Sequence, residues 1–527
     1  MDPAQEFEAK MLLRQQPMND VIDRGDSVVQ KFYRGATVFV TGGSGFLGKQ
    51  LVEKLFRACK LKKMFLLLRP KKGKSMQERL EYMLQDSAFD VVREKRPRFA
   101  DKIVPVNGDV ADVRLGLSDA DWATITAEVD IVIHMAATIR FDEPLNVATL
   151  TNVRGTRETL ELAKKCKKLR NYVYVSTAYS QATEERIGKD VLEQFYPCPV
   201  APNVMIAMAE RMDVTRLNGI TPELTKGWPN TYAFTKAIAE EMVRIYAADL
   251  PVCVVRPPIV VGGYREPMPG WLDMSSVMGP SGILVGVALG ILHVFFVDIH
   301  KGLALTPVDL VNNAIITAAW DSMDRRKITN DVPIYTVTDK EMFIKWELAR
   351  DVMNNSRQLA SVKAVWYCYL IETSNKLKYF LLTWLIHYIP AYLLDGVCAV
   401  LPFRAKGIPP FVSIYTKIDK LSFIYRYFLS NSWQFGNENL KSMMDSMSDT
   451  DKAIFNFDMK KVSKPDLLKI WLIGVRKYIL KDGLKGSSVA VKNQKLFYIA
   501  NCFIFVLYFY IWWTLFSVFW AVFKYMF

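Results

Sequence analysis

Tyr232 and Lys236 lie four residues apart in the stretch TYAFTK, so on a helix they occupy the same face. An ammonium about 4 Å from a phenol stabilises the phenolate by about 4 kcal/mol at an effective dielectric constant of 20, which lowers the phenol pKa by up to about three units. Such a tyrosine would exchange protons near neutral pH. Tyrosine and lysine also occur at this spacing by chance on many helices, so the pair needs support from other residues.

Two hydroxyl side chains in the stretch VYVSTAY supply that support. Ser176 and Thr177 follow an apolar, β-branched run, and we expect them just beyond the end of a strand. Hydroxyls in that position would polarise a substrate carbonyl. Ordinary capping of the strand end by the same two residues is the alternative interpretation.

A glycine-rich turn occurs in ATVFVTGGSGFLGKQLVEKLF, where a strand-like run leads into Gly42, Gly45 and Gly48 and then into apolar residues at helical spacing. In a dinucleotide-binding turn, Gly42 permits the sharp turn, Gly45 lets the backbone approach a pyrophosphate, and Gly48 allows the helix to pack closely on the strand. The helix N-terminus, at Phe46 and Leu47, then faces the phosphates. Strand, spacing and helix agree, so we predict dinucleotide binding rather than a loose hairpin.

The residue after the second strand selects between the two nicotinamide dinucleotides. An acidic side chain there would bind the ribose 2′-hydroxyl, whereas this chain has Arg69, with Lys71 and Lys72 nearby. Cationic side chains suit a 2′-phosphate, so NADPH is preferred to NADH; a solvated or membrane-facing basic loop is the alternative. Asp109 and Val110, after the third strand, are predicted to contact the adenine, unless Asp109 only forms a turn.

Alternating strands and helices must position these residues. We predict strands at 36–41 and 64–69, a helix at 45–58, and further strands in KIVPVNGDV, DIVIHMAAT, NYVYVSTAY and PVCVVRPPIVVG. This alternation predicts an α/β fold with a doubly wound parallel Rossmann sheet. The predicted organisation is a cofactor-binding domain with substrate-binding segments at 30–340, a smaller helical domain at 350–475, a basic linker at 476–495 and a transmembrane anchor at 496–523.

The C-terminal stretch 496–523 carries no charged side chain and would span about 42 Å as a helix, against a hydrocarbon core of about 30 Å. Lysines precede it, and the N-terminal residues lack the apolar core of a signal peptide. We therefore predict a C-terminal membrane anchor, at the endoplasmic reticulum or the peroxisome, with the rest of the chain facing the cytosol. A buried core helix is the alternative.

A second apolar stretch, 379–401, is interrupted by His387, Pro390 and Asp395. The sequence does not decide whether this stretch crosses the bilayer. Because a membrane span is expected to be almost free of such residues, we favour a buried or membrane-apposed helical pair over a crossing helix.

The composition of the chain limits the classes of molecule that it is expected to bind. The 527-residue chain has a formal net charge of +14, which suggests a membrane or a phosphorylated small molecule. It has no zinc-finger, basic-zipper or aromatic RNA-binding pattern, so nucleic acid is not an expected partner. The seven cysteines form no CxxC pair and there are four histidines, which indicates a reducing compartment and no metal site. An oligomer is compatible with the sequence, which does not define one.

The chain resembles the extended short-chain dehydrogenases/reductases and, among them, the fatty acyl-CoA reductases. The resemblance covers nearly the whole chain and rests on motifs in family order, namely VTGGSGFLGK, LLLRPKKGKS, NGDV, HMAATIRFDE, TNVRGT, YVSTAYS and TYAFTKAIAE. The helical region and the stretch FNFDMKKVS are similar to that family's second domain, sometimes called the male-sterility domain.

By this resemblance, Tyr232 is the proton donor, and Lys236 lowers its pKa and holds the nicotinamide ribose. Thr177 takes the position of a catalytic serine, with Ser176 as the alternative register. Asn152 supports the proton relay or, alternatively, satisfies backbone groups.

The residues from His134 to Ala137 would pass beneath the nicotinamide, and His134 itself is expected to be a satisfied strand-end histidine. The implied activity is NADPH-dependent reduction of a long-chain fatty acyl-CoA to a primary fatty alcohol through an aldehyde, with release of CoA.

Two other functions are compatible with parts of the pattern. A membrane-bound steroid dehydrogenase or another extended reductase would share the glycine turn and the Tyr232–Lys236 pair, but would not account for the second helical region. A catalytically silent lipid-binding homologue would not need the intact pair. The unusually apolar stretch 281–313 is predicted to be a wall of an acyl tunnel, a membrane-dipping lid, or a buried helix of the substrate-binding region.

Overall fold

A seven-stranded parallel sheet forms the centre of the computed structural model, which describes residues 1–14, 16–69, 73–246, 249–277, 279–329, 331–400 and 409–526. The strand order of this sheet is β11-β7-β5-β4-β1-β2-β3, and three small sheets have the orders β12-β10-β8, β13-β9 and β14-β6. The strands are β1 (Thr37–Thr41), β2 (Lys63–Leu68), β3 (Ile103–Asn107), β4 (Ile131–His134), β5 (Asn171–Val175), β6 (Asp190–Val191), β7 (Val252–Arg256), β8 (Ile259–Val261), β9 (Val294–Phe296), β10 (Gly302–Pro307), β11 (Ile334–Thr336), β12 (Phe343–Lys345), β13 (Ile371–Thr373) and β14 (Gln434–Phe435).

The sheet confirms the predicted doubly wound α/β architecture. The direction in which successive strands are added changes between β1 and β4: β2 and β3 lie on one side of β1, and β4, β5 and β7 lie on the other. Sheets of this kind bind dinucleotides at that point, beyond the carboxyl ends of the strands. The central strands are β-branched or aromatic and buried on both faces, as expected for parallel strands covered by helices on each side.

The helices cover both faces and continue beyond the sheet. They are α1 (Pro3–Leu13), α2 (Gln16–Arg24), α3 (Val28–Tyr33), α4 (Phe46–Ala58), α5 (Met76–Leu84), α6 (Asp90–Lys95), α7 (Asp119–Glu128), α8 (Leu145–Ala148), α9 (Gly155–Lys165), α10 (Pro202–Arg211), α11 (Val214–Leu224), α12 (Thr231–Tyr246), α13 (Pro280–Ala288), α14 (Val308–Thr329), α15 (Trp346–Asn354), α16 (Lys376–Thr383), α17 (Ile389–Val400), α18 (Phe411–Ser430), α19 (Glu438–Ser446), α20 (Asp449–Ile454), α21 (Lys464–Gly474) and α22 (Ser487–Met526).

Alternate residues of β1 point into two different cores. Phe39 belongs to the same buried cluster as Leu160 of α9 and Phe234 of α12, whereas Val40 belongs to the cluster that contains Leu51 of α4 and Val311 of α14. This alternation follows from the two-residue period of a strand. Helix α12, which carries Tyr232 and Lys236, is thereby fixed against one face of the sheet.

The C-terminal region shares the core on the α4 and α14 face of the sheet. Phe428, Trp433, Ile454 and Trp471 belong to the same buried cluster as Val40. In addition, β13 pairs with β9 and β14 pairs with β6, so strands from the region predicted as 350–475 complete sheets begun within 30–340. The two regions therefore pack as one body around a continuous core.

Residues 476–495, predicted to be a basic linker, are held firmly by the body. Arg476 is fully buried and donates to Asp482 at 2.8 Å and to Ser487 at 2.7 Å. The Ser487 hydroxyl donates to Asp2 at 2.6 Å, and Lys477 forms an ion pair with Glu8 at 2.6 Å. Helix α22 therefore leaves the body from a fixed position, because the buried Arg476 orders the turn that precedes it.

Among the described residues, two helical stretches have the length and apolar composition needed to cross a membrane. One is Ser487–Met526, in which no residue of the most apolar window is buried; the other is Lys376–Val400, in which 17% of that window is buried. We call the latter the 376–400 segment; it joins α16 and α17 through a π-helical turn at Trp384–Tyr388. Of the two forms expected for 379–401, a buried helical pair and a membrane-apposed one, this low burial is at odds with the first.

Candidate active site

The glycine turn between β1 and α4 has the geometry that its sequence predicts. Gly42 has a φ of +75°, and a Cβ there would lie 2.7 Å from the backbone nitrogen of Ala136. A Cβ on Gly48 would lie 2.3 Å from the carbonyl oxygen of Gly42, so α4 packs directly on the turn. Side chains at these two positions would collide with backbone atoms, which cannot move aside.

The N-terminus of α4 is open to a ligand at Gly45. A Cβ on Gly45 would have only the Gly42 carbonyl nearby, at 3.4 Å, and no side chain caps the helix. The N–H groups of the first turn, which includes Phe46 and Leu47, therefore have no side-chain cap to satisfy them. This arrangement fits a pyrophosphate, which such an N-terminus binds through N–H groups and the helix dipole.

Tyr232 and Thr177 are brought together from two elements. Tyr232 lies in the first turn of α12, and Thr177 is the second residue after the end of β5. Burial raises the pKa of the Tyr232 phenol to about 12, and a hydrogen bond with the Thr177 hydroxyl acts in the opposite direction. The two hydroxyls thus interact at the carboxyl edge of the sheet, near the glycine turn that follows β1.

Lys236 has a different partner from the one predicted. Its ammonium donates to the carbonyl oxygen of Val175 at 2.8 Å and lies 4.8 Å from the centre of the Tyr174 ring. Burial lowers the pKa of Lys236 to about 7, although the charge of Glu240 raises it in part. The predicted lowering of the Tyr232 pKa is wrong in direction for the protein alone, because burial of the phenol raises its pKa and the Lys236 ammonium is held at the Val175 carbonyl.

Ser176 and Thr177 have separate roles although they are adjacent. The Ser176 hydroxyl donates to Glu240 at 2.5 Å, and Ser180 donates to the same oxygen at 3.0 Å. Arg256 forms a two-pronged ion pair with Glu240, at 2.9 and 2.7 Å, in which both side chains are almost completely buried. Ser176 therefore belongs to a structural network, and the register that places Thr177 beside Tyr232 is the one the geometry favours.

Sequence reasoning missed Glu240 and Arg256. Glu240 follows Lys236 by four residues, as Lys236 follows Tyr232, so the spacing places all three on one face of α12. That spacing was the available signal for Glu240. Arg256 ends β7 and gave no comparable signal, because only the fold brings it to α12.

His134 and Asn152 are both satisfied by neighbouring groups. The two ring nitrogens of His134 lie 2.7 Å from the Thr41 hydroxyl and 3.2 Å from the Thr156 hydroxyl, and burial lowers its pKa to about 3. Asn152 accepts from the backbone N–H of Thr138 at 3.0 Å and donates to its carbonyl oxygen at 3.3 Å. The neutral His134 matches its expected strand-end role, and the Asn152 side chain is used to satisfy backbone groups.

The predicted adenine and 2′-phosphate contacts lie at strand ends. Arg69 follows β2 and is exposed, next to the glycine turn because β2 pairs with β1. Asp109 accepts from the N–H of Ala111 at 3.0 Å and so forms a turn, and Val110 is buried beside Gly155. The contributions predicted for Lys71 and Lys72 lie outside the described residues.

Aromatic side chains cover the Tyr232 ring, and two of them come from the C-terminal region. The ring of Phe141 stacks on Tyr232 with centroids 5.9 Å apart, and Phe428 and Tyr425 of α18 contact Phe141 at 5.3 and 5.4 Å. A Cβ on Gly279, just before α13, would lie 3.9 Å from the Tyr425 hydroxyl. The residue before the apolar α13 therefore lies close to α18, whose Phe428 and Tyr425 contact Phe141.

The apolar stretch 281–313 divides into unlike parts. It supplies most of the half-buried α13, then the buried strands β9 and β10, and then the start of α14. Only α13 has the placement of a tunnel wall, since the strands and α14 belong to the core.

Two family models match this chain. An NAD-binding family model described as "Male sterility protein" matches residues 40–315, and a second model, named Sterile and also described as "Male sterility protein", matches residues 386–482.

Curated relatives extend over most of the chain. "Fatty acyl-CoA reductase wat" of Drosophila melanogaster is 36% identical over 482 residues, which cover 91% of this chain and 90% of the relative. "Fatty acyl-CoA reductase 1" of Homo sapiens is 35% identical over 469 residues, or 88% of each chain. The chain belongs to the fatty acyl-CoA reductase family. The predicted resemblance is thus confirmed, and this fatty acyl-CoA reductase family member is an oxidoreductase that uses a nicotinamide cofactor.

Solved structures show the same fold as this member of the fatty acyl-CoA reductase family. The terminal R domain from the myxalamid biosynthetic pathway aligns with a TM-score of 0.55 at 19% identity, over 84% of this chain and 90% of that one. The reductase domain of a nonribosomal peptide synthetase from Mycobacterium tuberculosis aligns with a TM-score of 0.53 at 18% identity, over 89% and 99%. At these identities the likeness concerns the fold.

Proposed function

We propose that this protein reduces a long-chain fatty acyl-CoA to a primary fatty alcohol, through an aldehyde, with NADPH as reductant. The observation that carries the proposal is that Thr177 and the half-buried Tyr232 lie together, with the Phe141 ring stacked on Tyr232, at the sheet edge that also carries the dinucleotide-binding turn. The names of its relatives support the acyl-CoA substrate.

The residues present fit the cofactor from end to end. The N-terminus of α4 at Gly45 would hold the pyrophosphate, and Arg69 the 2′-phosphate. Asp109 and Val110 would border the adenine. Lys236, whose ammonium reaches from α12 to the end of β5 at Val175, would hold the nicotinamide ribose.

The side chains supply protons and stabilise negative charge. When bound, a dihydronicotinamide would supply the hydride for reduction of the thioester carbonyl and, in a second round, of the aldehyde carbonyl. Thr177 and Tyr232 donate hydrogen bonds to the carbonyl oxygen as it becomes negative, and Tyr232 protonates it. The resulting hemithioacetal loses CoA when its C–S bond breaks and the thiolate takes up the hydroxyl proton, which leaves the aldehyde.

Tyr232 then protonates the oxygen of the aldehyde during the second reduction, which gives the alcohol. A phenol with a pKa near 12 stays protonated at physiological pH, so it enters each round as an acid. The ammonium of Lys236, once at the ribose, would lie closer to the phenol than it does at the Val175 carbonyl. Its charge would lower the pKa of the phenol and thus assist proton release.

The apolar surroundings suit an acyl chain. Phe141 stacks on the Tyr232 ring, Phe428 and Tyr425 contact Phe141, and α13 is half-buried and apolar. Substrate and product both partition into membranes. We assign α22 the role of a C-terminal membrane anchor that keeps the catalytic body on the cytosolic side, at the endoplasmic reticulum or the peroxisome.

The test is an alcohol-forming assay with membranes that contain the full chain. NADPH is supplied with acyl-CoAs of increasing chain length, and extracted lipids are analysed for alcohol and aldehyde. Wild type is compared with Tyr232→Phe and with Tyr246→Phe, which makes the same change at the other end of α12.

We expect alcohol from wild type and from Tyr246→Phe, and a loss of at least about 100-fold in Tyr232→Phe, the usual range for a lost general acid. No alcohol or aldehyde from wild type with any acyl-CoA, while NADPH still binds, would contradict the proposal. That outcome would favour another substrate, such as a steroid, or a silent lipid-binding protein.

A further inference from the structure

The 376–400 segment has the polarity of an ordinary surface helix turned inside out. A surface helix of a water-soluble protein buries its apolar stripe and exposes its polar face. In this segment the polar side chains face the body and the large apolar side chains face outward. Exposing this apolar area to water is unfavourable, so the arrangement indicates that the outward face contacts an apolar partner rather than water.

The inward face is fixed to the body by polar contacts along its length. Tyr379 and Tyr388 both donate to Asp419 of α18, at 3.0 and 2.6 Å. His387 accepts from two backbone N–H groups at the start of β9, at 3.1 and 3.3 Å. Asp395 accepts from the first two N–H groups of α18, at 2.9 and 3.0 Å.

These tethers exclude a crossing helix. A helix that crosses a bilayer must leave the body, whereas this segment is tied at both ends and in the middle to α18 and β9. The segment therefore lies along the body over its whole length.

The outward face is apolar along the same length. Leu377 and Leu381 are 67% and 57% exposed, Trp384 is 42% exposed, and Leu393 and Val397 are 62% and 49% exposed. The positions are three or four residues apart within α16 and its end and again within α17, and the π-helical turn at Trp384–Tyr388 lies between the two groups, so exposed apolar side chains occur on both sides of that turn; we call them together the stripe. A stripe of this size marks a surface that binds an apolar partner.

The position of the stripe connects it to the helix that we propose to be the membrane anchor. The base of α22 is docked on residues 366–368: Trp366 donates to Asn501 at 3.2 Å, and Gln494 accepts from the N–H of Cys368 at 2.8 Å. The chain then runs through β13 and enters α16 at Lys376. The apolar stripe therefore begins within ten residues of the place where α22 leaves the body.

The edges of the stripe carry the residue types found at membrane interfaces. Lys376 and Lys378 are exposed at its start, where they would meet anionic headgroups. Trp384 stacks with Tyr388 and Tyr392, at centroid distances of 5.2 and 6.5 Å. Amphipathic aromatic rings and lysines of this kind are enriched where protein meets headgroups.

We propose that the outward face of the 376–400 segment is a second membrane-binding surface, which lies in the interfacial plane of the bilayer that α22 enters. The proposal rests on the membrane anchor assigned above and adds a contact that the anchor does not require. It fixes the orientation of the body, because two separate contacts prevent rotation about α22.

This contact would bring the active site close to lipid. Helix α18 packs on α17 at one end and delivers Phe428 to the ring of Phe141, beside Tyr232, at the other. A helix of its 20 residues spans about 30 Å. An acyl chain in the outer part of the bilayer thus lies within one helix length of the catalytic hydroxyls.

Photocrosslinking in vesicles tests the contact directly. The full chain is reconstituted into phosphatidylcholine vesicles that contain phosphatidylserine and an alkyne-tagged phosphatidylcholine. A benzophenone amino acid replaces Leu381 or Leu393 on the stripe, Val113 as an equally exposed control on the body, or Phe509 in α22. Lipid attachment is measured after irradiation.

We expect lipid attachment at Leu381, Leu393 and Phe509 and none at Val113. Attachment at Phe509 without attachment at Leu381 or Leu393 would overturn the proposal and leave the anchor intact. Attachment to another protein or to a second copy at Leu393 would also overturn it. Failure at Phe509 together with the stripe would contradict the anchor itself, and with it this proposal.

A charge-insertion experiment adds a functional readout. Leu381→Glu with Leu393→Glu is compared with Val214→Glu, an exposed apolar site on α11 far from the segment. We expect the double variant to raise KM at least about fivefold for a vesicle-bound long-chain acyl-CoA and to leave kcat for a short, soluble acyl-CoA unchanged. Equal KM values for all variants with the vesicle-bound substrate would contradict a role of the stripe in presenting lipid.

Discussion

Helix α12 and the 376–400 segment both direct a row of polar side chains toward the body, but their outer faces differ. In α12 the row is Tyr232, Lys236 and Glu240, and the outer face carries an ion pair of Glu241 and Arg244. In the 376–400 segment the row is Tyr379, His387 and Asp395, and the outer face carries leucines and a tryptophan. A row of polar side chains that faces the body therefore does not by itself show whether those residues take part in catalysis or only attach the helix to the body.

The partners of each row make the distinction. The α12 row ends at hydroxyls and a strand carbonyl at the sheet edge, beside the glycine turn, where a substrate would meet them. The row of the 376–400 segment ends on Asp419 and on backbone N–H groups, all of which it satisfies. Substitutions in the α12 row should therefore change the reaction rate, and substitutions in the row of the 376–400 segment should change the free energy of unfolding. The polarity of the outer face of each helix should match its surroundings, water for α12 and lipid for the 376–400 segment.

The largest expected effect separates the two hydroxyls opposite the α12 row. Thr177→Val removes the proposed donor to the developing negative charge and should lower kcat about 100-fold. It also removes the hydrogen bond that the Thr177 hydroxyl accepts from the Tyr179 N–H at 3.2 Å, which should cost about 1 kcal/mol of stability. Ser176→Ala breaks a bond to Glu240, which still has Arg256, and should cost about 2 kcal/mol of stability with kcat within about threefold. The reverse pattern, in kinetics and denaturant unfolding, would assign the catalytic position to Ser176.

The next effect concerns the pH dependence of cofactor binding. Because the pKa of Lys236 is lowered to about 7, its ammonium is lost as pH rises above 7, and the anionic cofactor should then bind more weakly. The Kd for NADPH should stay level just below pH 7 and rise by up to tenfold per pH unit above it. Titration by fluorescence between pH 7 and 9 checks this. Lys236→Met should show no such rise; a rise that persists would place the titration elsewhere.

Arg69 tests the preference between the two dinucleotides, away from either polar row. Arg69→Ala removes a charged partner of the 2′-phosphate and should lower the ratio of kcat/KM for NADPH to that for NADH about tenfold. Arg98→Ala, an exposed arginine on the same half of the chain, is the control. An unchanged ratio in Arg69→Ala would show that Arg69 belongs to a solvated loop.

The smallest effect tests the attachment row. Tyr379→Phe removes the hydrogen bond to Asp419 and should lower the free energy of unfolding by about 1 kcal/mol. The kcat for a short, soluble acyl-CoA should not change, since no atom of Tyr379 contacts the Tyr232 site in the structure. A loss of kcat without a loss of stability would show that the row takes part in chemistry after all.

The sequence predicted the nucleotide-binding half well because its signals are local. The glycine spacing within a few residues predicts both the positive φ of +75° at Gly42 and the close packing of the helix at Gly48. Runs of β-branched residues predict the strands. The contrast between Ser176 and Thr177 was not readable, because it depends on how β5 and β7 meet α12. The direction of the Tyr232 pKa failed for a related reason: spacing gives proximity on a helix, but burial and the Val175 carbonyl decide the charge.

The C-terminal half was harder because its pattern is ambiguous in one dimension. An apolar stretch interrupted by His387 and Asp395 disfavours a crossing helix, but it fits a core helix and an interfacial helix alike. Only the folded arrangement shows that those two residues face the body and that Leu381 and Leu393 face outward. The burial of Arg476, within the stretch predicted as a basic linker at 476–495, was also not readable from the sequence, since it depends on Asp482 and on contacts remote in sequence.

The most direct test of the proposed reaction is to follow the hydride. Membranes that contain the full chain are supplied with a long-chain acyl-CoA and with NADPH that carries deuterium at both C4 positions, and the alcohol is analysed by mass spectrometry. Two successive reductions at the same carbon predict an alcohol with two deuterium atoms at C1. An alcohol with one deuterium atom or none, or no alcohol at all, would contradict the account.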